Sequence, residues 1–349
     1  MNRKDYKIHI VGAGISGLIA AKTLESQGYK PVVIEATDSI GGRVKTDLVE
    51  GYQLDHGFQV LLDAYPKAKE HLDFDALEIQ EFLPGATIFC KGKKTTIGDP
   101  LRNLSLLFPT LTSSVGNFSD KLKILKLNKE LKKKSIASIF DAESFSTIDY
   151  LETRGFSNKI IQQFFKPFFT GIFLEPDLNT SSRMFEFVYK MFGEGLAVLP
   201  KSGIGAISEQ LKQQLKNTEF IFNTEVEVVG DKSLKLSNGK VINTHFTIIT
   251  SGASYLIDNL KNQEIKWKSC YNLYFETEKR EISKPLIGLI ADKDALINNL
   301  FFHNSLGTSQ TGNKELLSVT VVKNHDIDKK ALISQVEAEL KNYCNILVY

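Results

Sequence analysis

Apolar positions in the first 35 residues fall into three short patterns. Tyr6 to Val11 is a largely apolar run of strand length, Ile15 to Ser26 carries Leu18, Ala21 and Leu24 at helical spacing, and Pro31 to Ile34 is a second short apolar run. Strand, glycine turn, helix and strand make a β-α-β unit, which requires a right-handed crossover and a parallel sheet. Further on, Ile204 to Leu215 reads as a helix, followed by short strands at Glu219 to Phe222, Val226 to Val229 and Leu234 to Leu236. Asn238-Gly239 predicts a two-residue hairpin turn leading into Val241-Ile242, since both residues tolerate positive φ. The run Phe246 to Ile249 ends in Thr250-Ser251-Gly252-Ala253, as a sheet strand ends at a nucleotide. Between these blocks, residues 86–195 read as helical, Lys- and Phe-rich segments. After Lys266, alternation at Tyr271 to Phe275 and Leu317 to Val321 predicts strands, and Ala331 to Tyr343 a final helix. The expectation is an α/β protein with a Rossmann-like dinucleotide-binding domain in residues 1–85 and 196–260. An α+β substrate domain would occupy residues 86–195 and 261–349.

Composition narrows the class without deciding it. With 349 residues, 42% of them hydrophobic and 24% charged, the chain is sized for two domains and can bury a core. Forty-three basic against 41 acidic side chains leave a formal charge of +2, too small a field to predict nucleic-acid binding. Cys90, Cys270 and Cys344 are far apart, with no zinc-ligand spacing, so neither disulfides nor structural metal is expected. The apolar stretch Ile8 to Val11 runs straight into glycines and lacks the form of a signal peptide, which predicts a cytoplasmic protein.

The chemistry concentrates in Gly12-Ala13-Gly14-Ile15-Ser16-Gly17, a G-x-G-x-x-G run between predicted strand and helix. In such a run Gly12 permits the tight turn, Gly14 lets backbone amides approach a pyrophosphate, and Gly17 lets helix and strand pack closely. The helix N-terminus then favours phosphate by its partial positive charge. Glu35 closes the second strand 21 residues after Gly14, where a carboxylate accepts hydrogen bonds from both ribose hydroxyls and repels a 2′-phosphate. These residues leave NAD and FAD open.

Six residues past Glu35 comes Gly41-Gly42-Arg43, and later Leu54-Asp55-His56-Gly57-Phe58. With the N-terminal fingerprint, these motifs resemble the superfamily of flavin-containing amine oxidases, phytoene desaturases and protoporphyrinogen oxidases. Asp99-Pro100-Leu101-Arg102, Asp120-Lys121-Leu122 and Phe164 to Phe169 are most similar to the phytoene-desaturase-like bacterial members, as is the Pro/Gly segment at 195–206. The resemblance implies FAD as cofactor, with Arg43 and the neighbouring Gly42 at its pyrophosphate region. It implies Gly57 and Phe58 beside the isoalloxazine ring, Ala36 next to the ribose-binding Glu35, and the Val226 backbone at the adenine. Arginine suits phosphate because its planar fork donates two parallel charge-assisted bonds.

The pattern breaks after residue 260. Family members carry a late Gly-Asp segment and a helix that complete the flavin site, and this sequence has no Gly-Asp there, which predicts a chain shortened at its C-terminus with weakened hold on FAD. No G-x-x-x-x-G-K-[ST], H-E-x-x-H or G-x-S-x-G motif supports a competing chemistry. His56 is a candidate proton acceptor or, equally, a plain turn residue, and no catalytic acid or base is assigned.

Nine aromatic residues between Phe164 and Phe192 predict core packing before substrate contact. Lys121, Lys123, Lys126, Lys129 and Lys132 to Lys134 face away from Ile124, Leu127 and Leu131 on one amphipathic helix. Upstream, Asn103 to Ser119 has no charged residue but too many Ser, Thr and Asn for a membrane span, leaving a surface-lying membrane contact as one reading. The leading expectation is an FAD-dependent oxidoreductase of desaturase or oxidase type that takes a hydride from a small apolar organic substrate. The alternatives are a flavin amine oxidase, against which the lysine-free strand Ser269 to Phe275 argues, and a flavin-free binding protein.

Overall fold

The periodicity of the first 35 residues is realised in a computed structural model as strand Ile8–Val11, helix Ile15–Ser26 and strand Val32–Ile34. The structure describes residues 2–58, 60–99, 102–260, 263, 265–322 and 327–348, so Pro100 and Leu101 of the Asp99 to Arg102 motif lie outside the described residues. Contacts divide the chain into two units. The first comprises Met1–Asp47, Lys69–Glu78 and Ser202–Trp267, and the second Leu48–Ala68, Ile79–Lys201 and Lys268–Tyr349.

The first unit is Rossmann-like. Its four-stranded parallel sheet runs in the order Glu219–Ile221, Val32–Ile34, Ile8–Val11, Phe246–Ile249. Ile8–Val11 lies inside this sheet and is buried at every position, which is why its sequence is a continuous run and not an alternation. Helix Ile15–Ser26 buries Gly17, Leu18 and Ala21, which form one stripe along it. An antiparallel layer of Val226–Val229, Ser233–Leu236 and Val241–Asn243 adds Val226, Leu234 and Leu236 to a core shared with Val11, Ile34 and Leu256. Its Asn238-Gly239 hairpin forms, but differently from expectation. Only Gly239 takes positive φ, at 83°, and Leu236 N–H bonds Lys240 O across a three-residue loop. That is a type I turn closed by a left-handed glycine, in which asparagine has no need of the left-handed region.

The second unit is built on a six-stranded mixed sheet, in the order Tyr271–Thr277, Glu315–Val321, Ile297–Phe302, Ile287–Ile290, Gly85–Cys90, Lys93–Gly98. The expectation of helix from residue 86 onward is therefore corrected for 85–98, which form a hairpin. Its two-residue turn is Lys91-Gly92, with φ of 51° and 69°, the geometry that matches strand twist. A lysine in that turn gives no left-handed signal, so the sequence concealed it. The strands and the helix expected between residues 204 and 249 form with ends shifted by at most two residues, and the terminal helix Lys329–Glu339 continues as a wider π turn, Leu340–Cys344.

On one face of this sheet, Phe275, Leu300, Phe302, Leu317, Val319 and Val321 pack with Leu332, Val336 and Leu340. The other face is divided. Ala86, Ile88 and Leu289 share a core with Phe165, Phe169 and Phe185, whereas the paired strands beyond carry Asn272, Asn299, Ser318 and Thr320. Phe165, Phe169 and Phe185 are fully buried, so the phenylalanine-rich segment is core, as the sequence predicts. Pro167 sits in the first turn of helix Lys166–Phe173, directly after the π turn Ile161–Phe165, which accommodates its missing N–H. Arg102 donates to the Phe192 and Gly195 carbonyls, at 2.5 and 2.7 Å, at the end of helix Ser182–Glu194.

The Phe169 ring centroid lies 4.7 Å from that of Phe185 and 5.3 Å from those of Phe168 and Phe173. Truncation leaves a void among rings that cannot close on it. Phe169→Ala is expected to lower the unfolding free energy by about 3 to 5 kcal/mol, measured by urea denaturation against wild type.

Candidate functional site: a glycine turn at a helix N-terminus

The G-x-G-x-x-G run turns from strand to helix through Gly12, whose φ is +105° and whose N–H bonds Ile34 O at 2.8 Å. A Cβ on Gly17 would lie 2.0 Å from the Gly12 carbonyl oxygen, so helix and turn meet at a distance only glycine permits. Gly14 is the residue before the helix and provides no side-chain cap. The first intrahelical bond is Leu18 N–H to Gly14 O at 3.0 Å, leaving the Ile15, Ser16 and Gly17 N–H groups ahead of it at the positive end of the dipole. A Cβ on Gly14 would meet only Gly41 O, at 4.0 Å, an ordinary contact distance.

Three further segments converge on the turn within the first unit. The Glu35 carboxylate accepts Ala13 N–H at 2.7 Å with one oxygen, and Thr37 N–H and Oγ1 at 3.0 and 2.9 Å with the other. Two carboxylate oxygens offer about four acceptor sites, so capacity remains for a ribose hydroxyl. Gly41 N–H donates to Ala13 O at 2.9 Å, and a Cβ on Gly42 would lie 3.6 Å from Gly14 Cα, which sets the Gly41-Gly42 bend against the fingerprint. Arg43 follows it, exposed, as does Ala36 after Glu35. Thr224 N–H bonds Glu35 O and Asn223 N–H bonds Thr37 O, both at 2.9 Å, bringing the segment that leads into buried Val226 to the end of the second strand.

Two residues of this arrangement escaped the sequence reading. Thr250 Oγ1 donates to Val11 O at 2.9 Å and lies 3.1 Å from Gly12 O, fastening the turn from the neighbouring strand. Ser208 Oγ donates to Val44 O at 2.9 Å and a Cβ on Gly41 would lie 2.9 Å from it, so it fixes the Gly-Gly bend. Thr250 stands at the end of a run already read as a nucleotide-facing strand end; Ser208 has no sequence signal.

Gly57 and Phe58 belong to the second unit. Gly57 has φ +91°, and the Phe58 ring lies 5.2 Å from Phe301, 6.2 Å from Phe82 and 6.3 Å from His303. Burial drives the His303 pKa down to about 4, and its Nε2 pairs with Ser318 Oγ at 2.9 Å, so the ring is neutral at physiological pH. Tyr274, whose hydroxyl donates to Asp55 O at 2.8 Å, is pushed well above its ordinary pKa by burial. No member of this aromatic group carries a charge near neutrality.

The family model described as flavin containing amine oxidoreductase matches residues 15–345. The chain belongs to that family. Within the flavin-containing amine oxidoreductases it is 30% identical over 171 residues to protoporphyrinogen oxidase 2 of Arabidopsis thaliana, covering 47% of this chain and 32% of the plant protein. It is 31% identical over 156 residues to an L-amino-acid oxidase of Trimeresurus stejnegeri, covering 42% of this chain and 30% of the relative. The match thus spans about a third of the length of these curated relatives. Among solved structures, an oxidoreductase from Methanosarcina mazei superposes with TM-score 0.71 at 17% identity, covering 98% of this chain and 86% of that one. A putrescine oxidase superposes with TM-score 0.67 at 15% identity, covering 97% and 81%. At such identities the likeness establishes the fold. The family's cofactor is FAD, and the helix end without a side-chain cap, with its carboxylate neighbour, fits a dinucleotide.

Two glycines separate folding from binding. Gly17→Ala is expected to destabilise the protein by several kcal/mol, because its Cβ collides with backbone. Gly14→Ala, at φ −70° with room around it, is expected to melt like wild type while FAD affinity falls about tenfold, roughly 1.4 kcal/mol. Melting curves and calorimetric titration with FAD check both.

His303 gives a pH signature. Its folded pKa lies below the unfolded value of about 6.5, so the unfolded state binds more protons between the two and stability falls as pH drops from about 6.5 toward 4. The loss is at most about 3.4 kcal/mol. Unfolding free energies measured at pH 7 and pH 5 should show this decline in wild type and a flatter profile in His303→Gln.

Proposed function

We propose that the chain is an FAD-dependent oxidoreductase that removes a hydride, or its equivalent, from a C–H bond of an uncharged, largely apolar organic molecule. The observation that carries the reading is the helix N-terminus at Gly14, free of a side-chain cap and next to Ala13, whose N–H the Glu35 carboxylate holds. When bound, FAD supplies the two-electron acceptor. The Ile15, Ser16 and Gly17 N–H groups hold the pyrophosphate, Glu35 accepts from the ribose, and Arg43 adds a bidentate charge-assisted contact. The backbone of the Val226 segment takes the adenine end, where its neighbours Asn223 and Thr224 are already held by the second strand. In the second unit, the Phe58 ring packs with Phe82 and Phe301, an apolar surface that excludes water.

The substrate class rests on the same aromatic group. A neutral His303 and an un-ionised Tyr274 provide hydrogen bonding without charge. An amino-acid substrate, as the name of the L-amino-acid oxidase relative describes, calls for a cation facing its carboxylate, and this group contains none.

Denaturing the purified protein and separating the released nucleotide tests the cofactor: FAD is expected, and NAD in stoichiometric amount with no flavin would overturn the reading. Arg43→Lys keeps the charge and loses the fork, so FAD affinity is expected to fall about tenfold, roughly 1.4 kcal/mol, with an unchanged circular-dichroism spectrum. Unchanged FAD affinity would remove Arg43 from the site.

A further inference from the structure

The largest concentration of exposed apolar side chains in the second unit lies on two consecutive helices outside the site. Leu104 is 80% exposed, Phe108 75%, Leu111 64% and Phe118 74%, followed by Leu122 and Leu125 at about half. They sit on the turn Leu104–Leu106, the helix Leu107–Thr112 and the helix Phe118–Lys133. The two helices are joined at this surface. Lys121 Nζ donates to the carbonyls of Thr110, Leu111 and Ser113 at 2.8, 3.3 and 3.2 Å, so the end of the shorter helix abuts the first turn of the longer.

At about 100° per residue, Phe118, Leu122 and Leu125 fall within about 60° of arc, and the buried Leu127 and Leu131 lie on the opposite side. The outer face is thus a second apolar stripe, separate from the one that joins the core. Lys129, Lys132 and Lys133, all exposed, continue the same face within about 55° of its centre. The acids of this helix are elsewhere. Asp120 is buried, accepting Asn117 N–H at 2.7 Å and Ser157 N–H and Oγ at 2.9 and 2.6 Å, and Glu130 is bound by Arg154 at 2.6 Å. Outward, the helix is therefore apolar over its first two turns and purely basic over its last. Residues 103–119 add no charge that burial would penalise.

We propose that this face docks on an anionic lipid bilayer, with Leu104, Phe108, Leu111, Phe118, Leu122 and Leu125 entering the headgroup and acyl boundary while Lys129, Lys132 and Lys133 meet the headgroup charge. Separation of an apolar end from a basic end along one face matches the layering of an interface, where apolar and anionic strata lie a few ångströms apart. A second copy of the chain fits the same face poorly. A stable dimer needs about 800 Å² and 20 to 30 residues per partner, whereas one turn and two helices here present six large apolar side chains. A bilayer accepts each of them without shape complementarity.

Co-sedimentation of the full chain with vesicles tests the proposal, using phosphatidylcholine alone and phosphatidylcholine mixed with phosphatidylglycerol, at low and high salt. Wild type is expected to pellet with the anionic vesicles and to release as salt rises. Combined Leu104→Ser, Phe108→Ser and Phe118→Ser should weaken partition at least tenfold. Combined Lys129→Ala, Lys132→Ala and Lys133→Ala should erase the preference for anionic lipid. Phe118→Trp keeps the face apolar and serves if the serine variant folds poorly: relative to wild type, its added fluorescence should shift blue and resist aqueous quencher when vesicles are present. Wild type remaining in the supernatant with both vesicle types, serine-variant partition equal to wild type, or added fluorescence from Phe118→Trp that stays water-exposed on vesicles would each overturn the proposal. So would a dimer in ultracentrifugation that the serine variant dissolves without any vesicle binding, which would assign the face to self-association.

Discussion

The close approach of helix Ile15–Ser26 to the strand turn at Gly12 is the constraint on which the nucleotide-binding arrangement depends. A Cβ on Gly17 would stand 2.0 Å from the Gly12 carbonyl, so the helix axis is placed by the absence of one methyl group. That placement aims the uncapped end of the helix past the strand ends. It also brings Ala13 N–H to Glu35 and Ala13 O to Gly41 N–H, so the same turn orients both neighbours of the site. Thr250 fastens the turn from a third direction, by bonding the carbonyls of Val11 and Gly12 where the sheet ladder runs out. Backbone groups carry most of these contacts, and they are indifferent to side-chain identity except where a side chain would intrude. Such a site tolerates wide divergence around a few glycines, as 15 to 17% identity to structures of the same fold illustrates.

The second unit solves a different problem, giving one sheet two unlike faces. Strand parity sends Phe275, Leu317 and Val319 to the terminal helix and Asn272, Tyr274 and Ser318 to the other side. On that other side the phenylalanine helices cover the strands around Ile88 and Leu289, while the strands around Ser318 and Thr320 keep hydrogen-bonding side chains. Asn299, His303, Ser318 and Thr320, at 1 to 6% exposure, pair laterally: Asn299 Nδ2 with Thr320 Oγ1 at 3.2 Å, Thr320 Oγ1 with Asn272 Oδ1 at 3.2 Å, His303 with Ser318. The phenylalanine core and this polar row are thus two halves of one layer, and the tight packing of the first gives the second a fixed backbone to pair on.

Legibility followed the range of the interactions. Gly12, Gly14, Gly17 and Glu35 were readable because their spacing is dictated by a local strand-turn-helix geometry within about 25 residues of chain. Helix Ile15–Ser26 was readable from its own period. The hairpin at Gly85–Cys90 was not, because its turn relies on a lysine held at positive φ, a conformation imposed by the twist of paired strands and not announced by residue type. Asn238-Gly239 gave the opposite lesson: the hairpin was legible, yet which residue went left-handed depended on a register fixed by Val241 and Lys235. Ser208 lay wholly beyond reach, since nothing within residues 204–215 records that Val44 O would come to rest 2.9 Å away.

The sequence by itself determined the class of protein: a Rossmann-like glycine turn, an acid at the end of its second strand, and a buried phenylalanine core, each encoded by local spacing or by hydrophobic pattern. Tertiary structure alone decided the convergence of residues 12–17, 35–42, 208, 223–226 and 250 on one turn, and the division of the sheet face into apolar and polar halves. It also decided that one side of helix Phe118–Lys133 carries Phe118, Leu122 and Leu125 outward. The physical reason is the same in each case. A helix or strand period fixes which residues share a face, but which face is covered, and by what, follows from contacts between segments far apart in the chain, whose pairing no local pattern encodes.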